Sequence, residues 1–446
     1  MSIIDRIAQA GIVGVGGAGF PTAVKYRKDV EYLIINAAEC EPLLQTDKYA
    51  MRHSAKEIIS ILDQIKVELE IENVVIATKG DYDAEITALE QAIANANSPV
   101  KIHKMANYYP TGDEFVTVFE VTGRVVPPAG LPLMVGCIVS NVSTILNIYY
   151  AVVNDQPVTT KRLTVTGMVA NPAILEVPIG TPLDVCLTEA GGTPLEDYLF
   201  LNGGPMMGRL HTNDELAKQV VTKTTSGLII TEHRGYLKEL KTQTLDDIMK
   251  NAELSCIHCS LCTDLCPRQK LGHEVSPHKV MNYFVDQKGI EVDVTSDVLK
   301  GSLICSSCGV CEVIACPKGL SPRQVNNYVK GAFAKEGIRY ENTTNEFSVD
   351  PLRLCKTINS TNVLMKMGML QYKDQTFDKV RYVDVDEVFI PLRMHIGAPC
   401  KPVVAVGDMV NVGDLIAEPA GLGANIHASI SGKIMNINDH IHIKKV

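Results

Sequence analysis

A parallel α/β unit followed by a small mixed β unit, a helical cysteine-rich unit and a compact all-β unit is the fold class predicted for this chain, on three observations. At 446 residues it exceeds the roughly 250–300 at which a single hydrophobic core stops growing, so several folded units are expected. Apolar runs of strand length alternate with segments of 3.6-residue period up to about residue 155 and then give way to short β-prone pieces. Eight of the thirteen cysteines fall between residues 245 and 335.

The strands and helices follow in order. Tyr32-Leu-Ile-Ile reads as a strand, Ile58, Ile61, Leu62 and Ile65 as one face of a helix, Val74–Ala77 as a second strand, and Ile86, Leu89 and Ile93 as a second helix. Such alternation implies a parallel sheet covered by helices. Leu163–Gly167 and Leu175–Val177, set off by Asn171-Pro172, Gly180-Thr-Pro182, Gly191-Gly192 and Gly203-Gly-Pro205, make the mixed β unit. The polar stretch Glu341–Glu346 reads as a linker. Turns at Gly397, Gly407, Gly413, Gly421–Gly423 and Gly432 separate short strands such as Val403–Val406 and Leu415–Ala417 at the end of the chain.

Composition excludes several classes of function. Hydrophobic residues at 46% and charged residues at 21% describe a globular protein and not a disordered one. Forty-two basic against 51 acidic residues leave a net charge of −9, which disfavours nucleic acid and anionic lipid. The most membrane-like segment, residues 130–153, is broken by Pro132, Ser140, Asn141, Ser143, Thr144 and Asn147, so a buried strand and helix are expected and no membrane span. The first residues carry Asp5 and no basic region or cleavage site, which predicts a cytoplasmic protein. Clustered cysteines in a reducing compartment are metal ligands more readily than disulfides.

Cys256, Cys259, Cys262 and Cys266, followed by Pro267, have the C-x2-C-x2-C-x3-C-P spacing of a [4Fe-4S] cluster loop. Cys305, Cys308, Cys311 and Cys316, followed by Pro317, repeat it with one extra residue before the last cysteine. Two clusters are expected, because soft thiolates hold iron and tight loops aim N–H groups at the sulfurs. By the ligand exchange of two-cluster ferredoxins, Cys316 would join the first three cysteines and Cys266 the second three. A pair of structural zinc sites is the alternative. The cysteines at 40, 137, 186, 355 and 400 read as buried small hydrophobes.

Gly11, Gly14, Gly16, Gly17 and Gly19 crowd together before Phe20-Pro21-Thr22 and Lys25. Such a turn lets backbone N–H groups reach a phosphate, and a helix opening at Pro21 would add its positive end. A dinucleotide fingerprint wants a strand before the glycines, whereas Ile3, Ile4 and Ile7 read as helix; the acid expected about 20 residues on could be Glu39 or Glu41. A tight packing turn stays open on these residues alone. GVGGAGFPTAVK from Gly14 to Lys25, Asn36-Ala-Ala-Glu-Cys-Glu-Pro42, Tyr109-Pro-Thr-Gly-Asp-Glu114 and Ser140-Asn-Val-Ser-Thr144 together resemble, in order, the FMN and NADH site shared by the flavoprotein subunit of respiratory complex I and the RnfC family.

The resemblance implies that Gly14, Gly16, Gly17 and Gly19 with Lys25 hold the phosphate and ribityl side of the flavin. Asn36 would face the isoalloxazine, Tyr109 and Gly112 border it, and Asn141 and Thr144 complete the pocket. Phe20 would stack on the nicotinamide side, with Glu41 and Glu114 near NADH and Glu39 among the cofactor-binding residues. Val15 and Ala38 depart from the complex I pattern, which has a basic residue and a flavin-binding acid there, so FMN would be held less tightly. Residues 162–208 resemble the SLBB β-grasp module. Val388–Pro399 with His427–Gly432 resembles the barrel-sandwich hybrid of RnfC proteins, without a lysine at the tip for a covalent carrier group. His395 and His427 read either as cobalt ligands or as satisfied structural histidines.

The fold implied is an α/β Rossmann-like flavin domain over residues 1–155, a β-grasp domain over 160–215, a ferredoxin-like helical domain with two [4Fe-4S] clusters over 245–335 and a barrel-sandwich hybrid over 380–446. The sandwich stands last, where RnfC subunits have it first; that order resembles the cobalamin-reductase branch of propanediol-utilisation microcompartments. The resemblance implies an NADH-dependent oxidoreductase that passes electrons through FMN and two clusters to cob(III)alamin and cob(II)alamin. The product, cob(I)alamin, would serve adenosylation, with an adenosyltransferase and shell proteins as partners and no side-chain acid–base catalyst. The alternatives are an RnfC-like electron-input subunit of a ferredoxin:NAD oxidoreductase and a noncatalytic, shell-associated electron-transfer protein.

Overall fold

The computed structural model describes residues 1–446 except Lys288 and Thr343. Its N-terminal unit is built on four parallel strands, β1 (Tyr32–Asn36), β2 (Asn73–Lys79), β3 (Lys101–Met105) and β4 (Cys137–Asn141), in the order β3-β2-β1-β4. Parallel neighbours need crossover connections. Helices Thr46–His53 and Ala55–Glu68 join β1 to β2, Asp83–Ala96 joins β2 to β3, Glu114–Thr122 lies between β3 and β4, and Val142–Val153 follows β4. Ile58, Ile61, Leu62 and Ile65 are buried, as their spacing predicts.

The chain winds to one side of β1 through β2 and β3 and returns to the other side as β4, so the crevice at the carboxyl ends of β1 and β4 is the topological switch point where α/β sheets bind ligands. The register pairs Asn36 with Asn141, the last residues of those two strands. Ahead of the glycines stands the helix Ile3–Gln9, capped by Ser2, and no strand.

The second sheet has six strands: β5 (Thr160–Gly167), β6 (Ala173–Pro178), β7 (Tyr198–Asn202), β8 (Arg209–Thr212), β9 (Gly227–Glu232) and β10 (Val380–Tyr382), in the order β10-β6-β5-β9-β7-β8. A unit ending at residue 215 therefore leaves out β9, an interior strand, and β10 arrives from beyond the cysteine region. The C-terminal residues form two small antiparallel sheets. Lys401–Pro402 pairs there in place of the expected Val403–Val406, whose end residues are exposed and gain no burial from pairing. Leu163, Phe200 and Ile230 of the second sheet share one hydrophobic core with Val388, Ile416, Ile434 and Ile441 of the C-terminal unit.

Helices Leu245–Ser255, Pro277–Gln287 and Pro322–Lys335 carry the cysteine region around Phe284, Val329 and Phe333. The described residues of the 341–346 linker form no helix or strand; Thr343 lies outside them. Cys137, Cys186 and Cys400 are buried, Cys40 is half-buried and Cys355 is exposed, contrary to expectation for the last. Among the described residues no helix is long and apolar enough to cross a membrane.

Candidate functional site

The glycine turn is open to solvent. Gly16, Gly17 and Ala18 are exposed, and a Cβ at Gly17 would meet nothing within 4 Å. A Cβ at Gly16 would come within 2.9 Å of the Asn141 amide nitrogen, so glycine is what lets the turn close on the end of β4. The Val15 N–H donates to Thr144 Oγ1 at 3.2 Å. Asn36 Nδ2 donates to the Gly112 carbonyl at 2.8 Å, which ties the β1 end to the Tyr109–Glu114 loop. Lys25 and half-buried Phe20 lie together, with the ammonium 5.3 Å from the ring centre. Exposed N–H groups, a lysine and two strand-end amides fit a flavin phosphate and ring. The helix after Pro21 spans only Thr22–Lys25, too short to contribute much of a dipole.

Gly19 serves a different neighbour. Its φ is +76°, and a Cβ there would lie 3.0 Å from the Met394 carbonyl oxygen and 3.2 Å from His395 Cα. The Ile396 N–H donates to the Gly19 carbonyl. Lys223, buried beside them, donates to the carbonyls of Gly11 at 2.6 Å and Asn425 at 2.5 Å, and burial lowers its pKa to about 7. The C-terminal unit is thus seated on the back of the glycine turn. His395 Nε2 lies 3.2 Å from the Ala398 carbonyl, while His427 Nδ1 is buried without a partner among the described residues.

Two of the three predicted acids are drawn into local networks. Glu39 accepts from the Asp47 N–H at 2.9 Å. Burial and then Asp47 raise its pKa to about 8. Asp47 accepts from Asn141 Nδ2 and Ser143 Oγ, both at 2.6 Å, so it fixes the amide that faces Gly16; no sequence motif had pointed to it. Glu41 accepts from the backbone N–H groups of Met206 and Met207, both at 2.8 Å. Burial pushes its pKa up to about 7 against those two donors and Arg323. Glu114 stands half-buried at the first turn of helix Glu114–Thr122, capped by Asp113.

The cysteines gather as two mixed sets. Cys256, Cys259, Cys262 and Cys316 line one cavity. Cys266 feels the charges of Cys308 and Cys305, and Cys311 those of Cys308, Cys305 and Cys266. Burial, followed by these sulfurs, raises Cys262 and Cys266 to about 12. Cys316 thus lies with the first three cysteines, and Cys266 within electrostatic reach of the second three. Among the described residues no three His, Cys, Asp or Glu side chains converge on a single-ion centre. Four thiolates lining one cavity are a donor set that fits a [4Fe-4S] cluster.

The loops show how the spacing works. His258, Ser260 and Ser307 have φ of 52°, 57° and 57°, the left-handed conformation that curls a short loop around its centre. The Ser307 N–H points at Cys305 Sγ and the Leu320 N–H at Cys316 Sγ, each at 3.4 Å. Cys311–Ala315 forms one π-helical turn where the first motif has the α-turn Leu261–Asp264. The wider turn absorbs the extra residue of the second motif.

One set lies against the flavin unit and the other faces out. Cys266, Cys308 and Cys311 are buried, whereas Cys259 is exposed. Tyr109 OH donates to the Cys308 carbonyl at 2.7 Å. Arg268, two residues after Cys266, donates to Asp113 at 2.8 Å and lies 3.6 Å over the Phe115 ring. Arg323 donates to the Met206 carbonyl at 2.7 Å and to Glu312 at 2.8 Å, joining the loop over Glu41 to the residue after Cys311. Arg268 and Arg323 had no signal in the sequence, and Asp113 stood in the Tyr109–Glu114 motif without a role, since their partners lie far away along the chain.

Residues 7–150 match the Nuo51 FMN-binding domain, 162–210 the SLBB domain, 255–321 the 4Fe-4S dicluster domain and 371–446 the RnfC barrel sandwich hybrid domain. The chain is 35% identical to a component of the ion-translocating oxidoreductase complex of Haemophilus influenzae (strain 86-028NP), over 59% of this chain and 38% of that protein. A solved structure of an NAD+-reducing [NiFe]-hydrogenase in the H2-reduced state aligns at a TM-score of 0.49 and 19% identity, over 78% of this chain and 68% of that one. Cobalamin reductase PduS of Salmonella typhimurium (strain LT2) is 38% identical over 98% of this chain and 95% of its own. On that match across nearly the whole of both sequences, the chain belongs to the PduS cobalamin reductase family.

Proposed function

We propose that this protein is an NADH-dependent cobalamin reductase, taking electrons from NADH at the β1/β4 crevice and delivering them through the two cysteine sets to cob(III)alamin and cob(II)alamin. The observation that carries the reading is the hydrogen bond from Tyr109 to the Cys308 carbonyl, which joins the flavin-side loop directly to the buried cysteine set. FMN held there would supply a hydride acceptor that gives up electrons singly, and [4Fe-4S] clusters on the two cysteine sets would supply one-electron relays. Gly14, Gly16, Gly17 and Lys25 would hold the phosphate, with Asn36, Tyr109, Gly112, Asn141 and Thr144 around the ring and Phe20, Glu39, Glu41 and Glu114 on the NADH side. Cys266, Cys305, Cys308 and Cys311 would bind the inner cluster, and Cys256, Cys259, Cys262 and Cys316 the outer one.

The chain's own work is positioning. Asp47 orients Asn141, the Met206 and Met207 amides orient Glu41, and Arg268 and Arg323 clamp the buried cysteine loops to the flavin unit. No side chain needs to move a proton for hydride transfer. We read the four units as the Rossmann-like, β-grasp, ferredoxin-like and barrel-sandwich domains expected, with the second running on past residue 215 to take in β9. An adenosyltransferase as recipient of cob(I)alamin, shell proteins as neighbours and a cytoplasmic microcompartment as location belong to the same reading.

The deciding experiment is anaerobic purification with FMN, iron and sulfide analysis, followed by NADH oxidation with cob(III)alamin as acceptor. NADH-dependent formation of cob(II)alamin and cob(I)alamin is expected. A protein that holds clusters without flavin, or copurifies with integral membrane proteins and leaves corrin oxidised, contradicts it.

Two further results are expected. A Cβ at Gly204 would sit 2.3 Å from Glu41 Oε2, so Gly204→Ala displaces the carboxylate. KM for NADH should rise about tenfold with kcat little changed in a dye-coupled assay. Tyr109→Phe removes a hydrogen bond worth about 1 kcal/mol; stopped-flow spectra should show flavin reduction at the wild-type rate and cluster reduction a few-fold slower.

A further inference from the structure

The outer cysteine set opens on an unusual surface. Cys259 is exposed, and Leu254, Ile257 and Leu261, all within five residues of it along the chain, are 86%, 57% and 39% exposed. Isolated surface leucines need no explanation, but three exposed large apolar side chains in the segment that carries a redox ligand mark a contact surface. Lys318 is exposed beside Cys316 and lines the same cavity. Glu253 and Asp264 flank the loop. The inner set is more enclosed, since Cys266, Cys308 and Cys311 are buried and Cys305 is half-buried.

On the functional reading above, we infer that this face is where cobalamin docks, with Leu254, Ile257 and Leu261 forming an apolar collar for the corrin over Cys259 and Lys318 meeting the phosphodiester of its nucleotide tail. Electron transfer weakens steeply with distance, so an acceptor must reach the terminal centre, and this is its solvent-facing wall. Charge favours the same occupant. A net charge of −9 with Glu253 and Asp264 at the rim repels an acidic carrier protein, whereas the corrin is nearly neutral and its methyl-bearing edge suits an apolar collar. The step balances without a bond to the protein. NADH leaves as NAD+ with one proton released; its two electrons pass singly, the first converting Co(III) to Co(II) with loss of the axial water, the second giving Co(I).

The test compares the holoenzyme with Leu254→Glu, Ile257→Glu and, as a remote control on helix Ala55–Glu68, Val67→Glu, whose parent side chain is 78% exposed. Three quantities are read: equilibrium dialysis of hydroxocobalamin without NADH, EPR of both clusters after NADH, and the rate of cob(III)alamin reduction. Retention and reduction of corrin should each fall about tenfold in the collar variants, the free energy of one buried apolar contact replaced by a charge. Cluster signals should stay at wild-type strength, and Val67→Glu should match wild type. Unchanged retention in both collar variants overturns the docking site, as does equal loss in the control or a defect confined to an added ferredoxin. Wild-type protein that oxidises NADH yet neither retains nor reduces corrin overturns the functional reading instead.

Discussion

Replacing Cys308 by serine is expected to leave NADH oxidation with a flavin-level dye intact while cobalamin reduction falls by more than about 100-fold, since even partners outside the ligand shell are worth about 10–100-fold at metal sites. The sharper result is an asymmetry between variants. In Cys308→Ser the outer cluster should remain reducible by dithionite but become silent to NADH, because the break lies between it and Tyr109. In Cys259→Ser the inner cluster should still respond to NADH, because its cysteines are the ones that touch the flavin unit. EPR of each variant under the two reductants reads this directly. An outer cluster that NADH still reduces in Cys308→Ser, or an inner cluster silent to NADH in Cys259→Ser, would contradict the order of the two centres.

Asp113→Ala should produce the largest loss of stability. Asp113 and Arg268 are almost buried, with side-chain exposures of 11% and 10%. Removing the acid strands a guanidinium inside the protein, at a cost of about 3–5 kcal/mol. It also removes the cap of helix Glu114–Thr122, where Asp113 accepts from Phe115 and Val116 N–H groups, for about 1 kcal/mol more. Asp113→Asn keeps the cap oxygen but loses the ion pair and its hydrogen bond to Arg268, so it separates the two effects. Thermal unfolding and limited proteolysis should rank wild type above Asn above Ala. An Ala variant as stable as wild type would mean that Phe115 stacking alone holds Arg268.

The sequence was most informative where chemistry demands local spacing. The two cysteine runs and the glycine turn each occupy a short stretch, and the register of Asn36 with Asn141 follows from two strand ends that their motifs had marked. Contacts between distant segments left no such trace. Asp113 meets Arg268 across 155 residues and Glu41 meets Met206 across 165, and nothing beside either acid names its partner. Gly19 looked like part of the phosphate turn, yet its missing side chain makes room for Met394 and His395. Unit boundaries were blurred for the same reason: β9 and β10 complete a sheet whose other strands end near residue 212. Val403–Val406 had strand-like composition without a face to bury.

The core shared by the six-stranded sheet and the C-terminal strands bears on how the molecule comes apart. Phe200 and Ile230 pack in one cluster with Ile416 and Ile441, so neither layer retains a complete interior without the other. The two should melt together in a single calorimetric transition. A polypeptide ending before residue 371 should aggregate, and adding residues 371–446 as a separate chain should rescue its solubility by refilling the vacated seam.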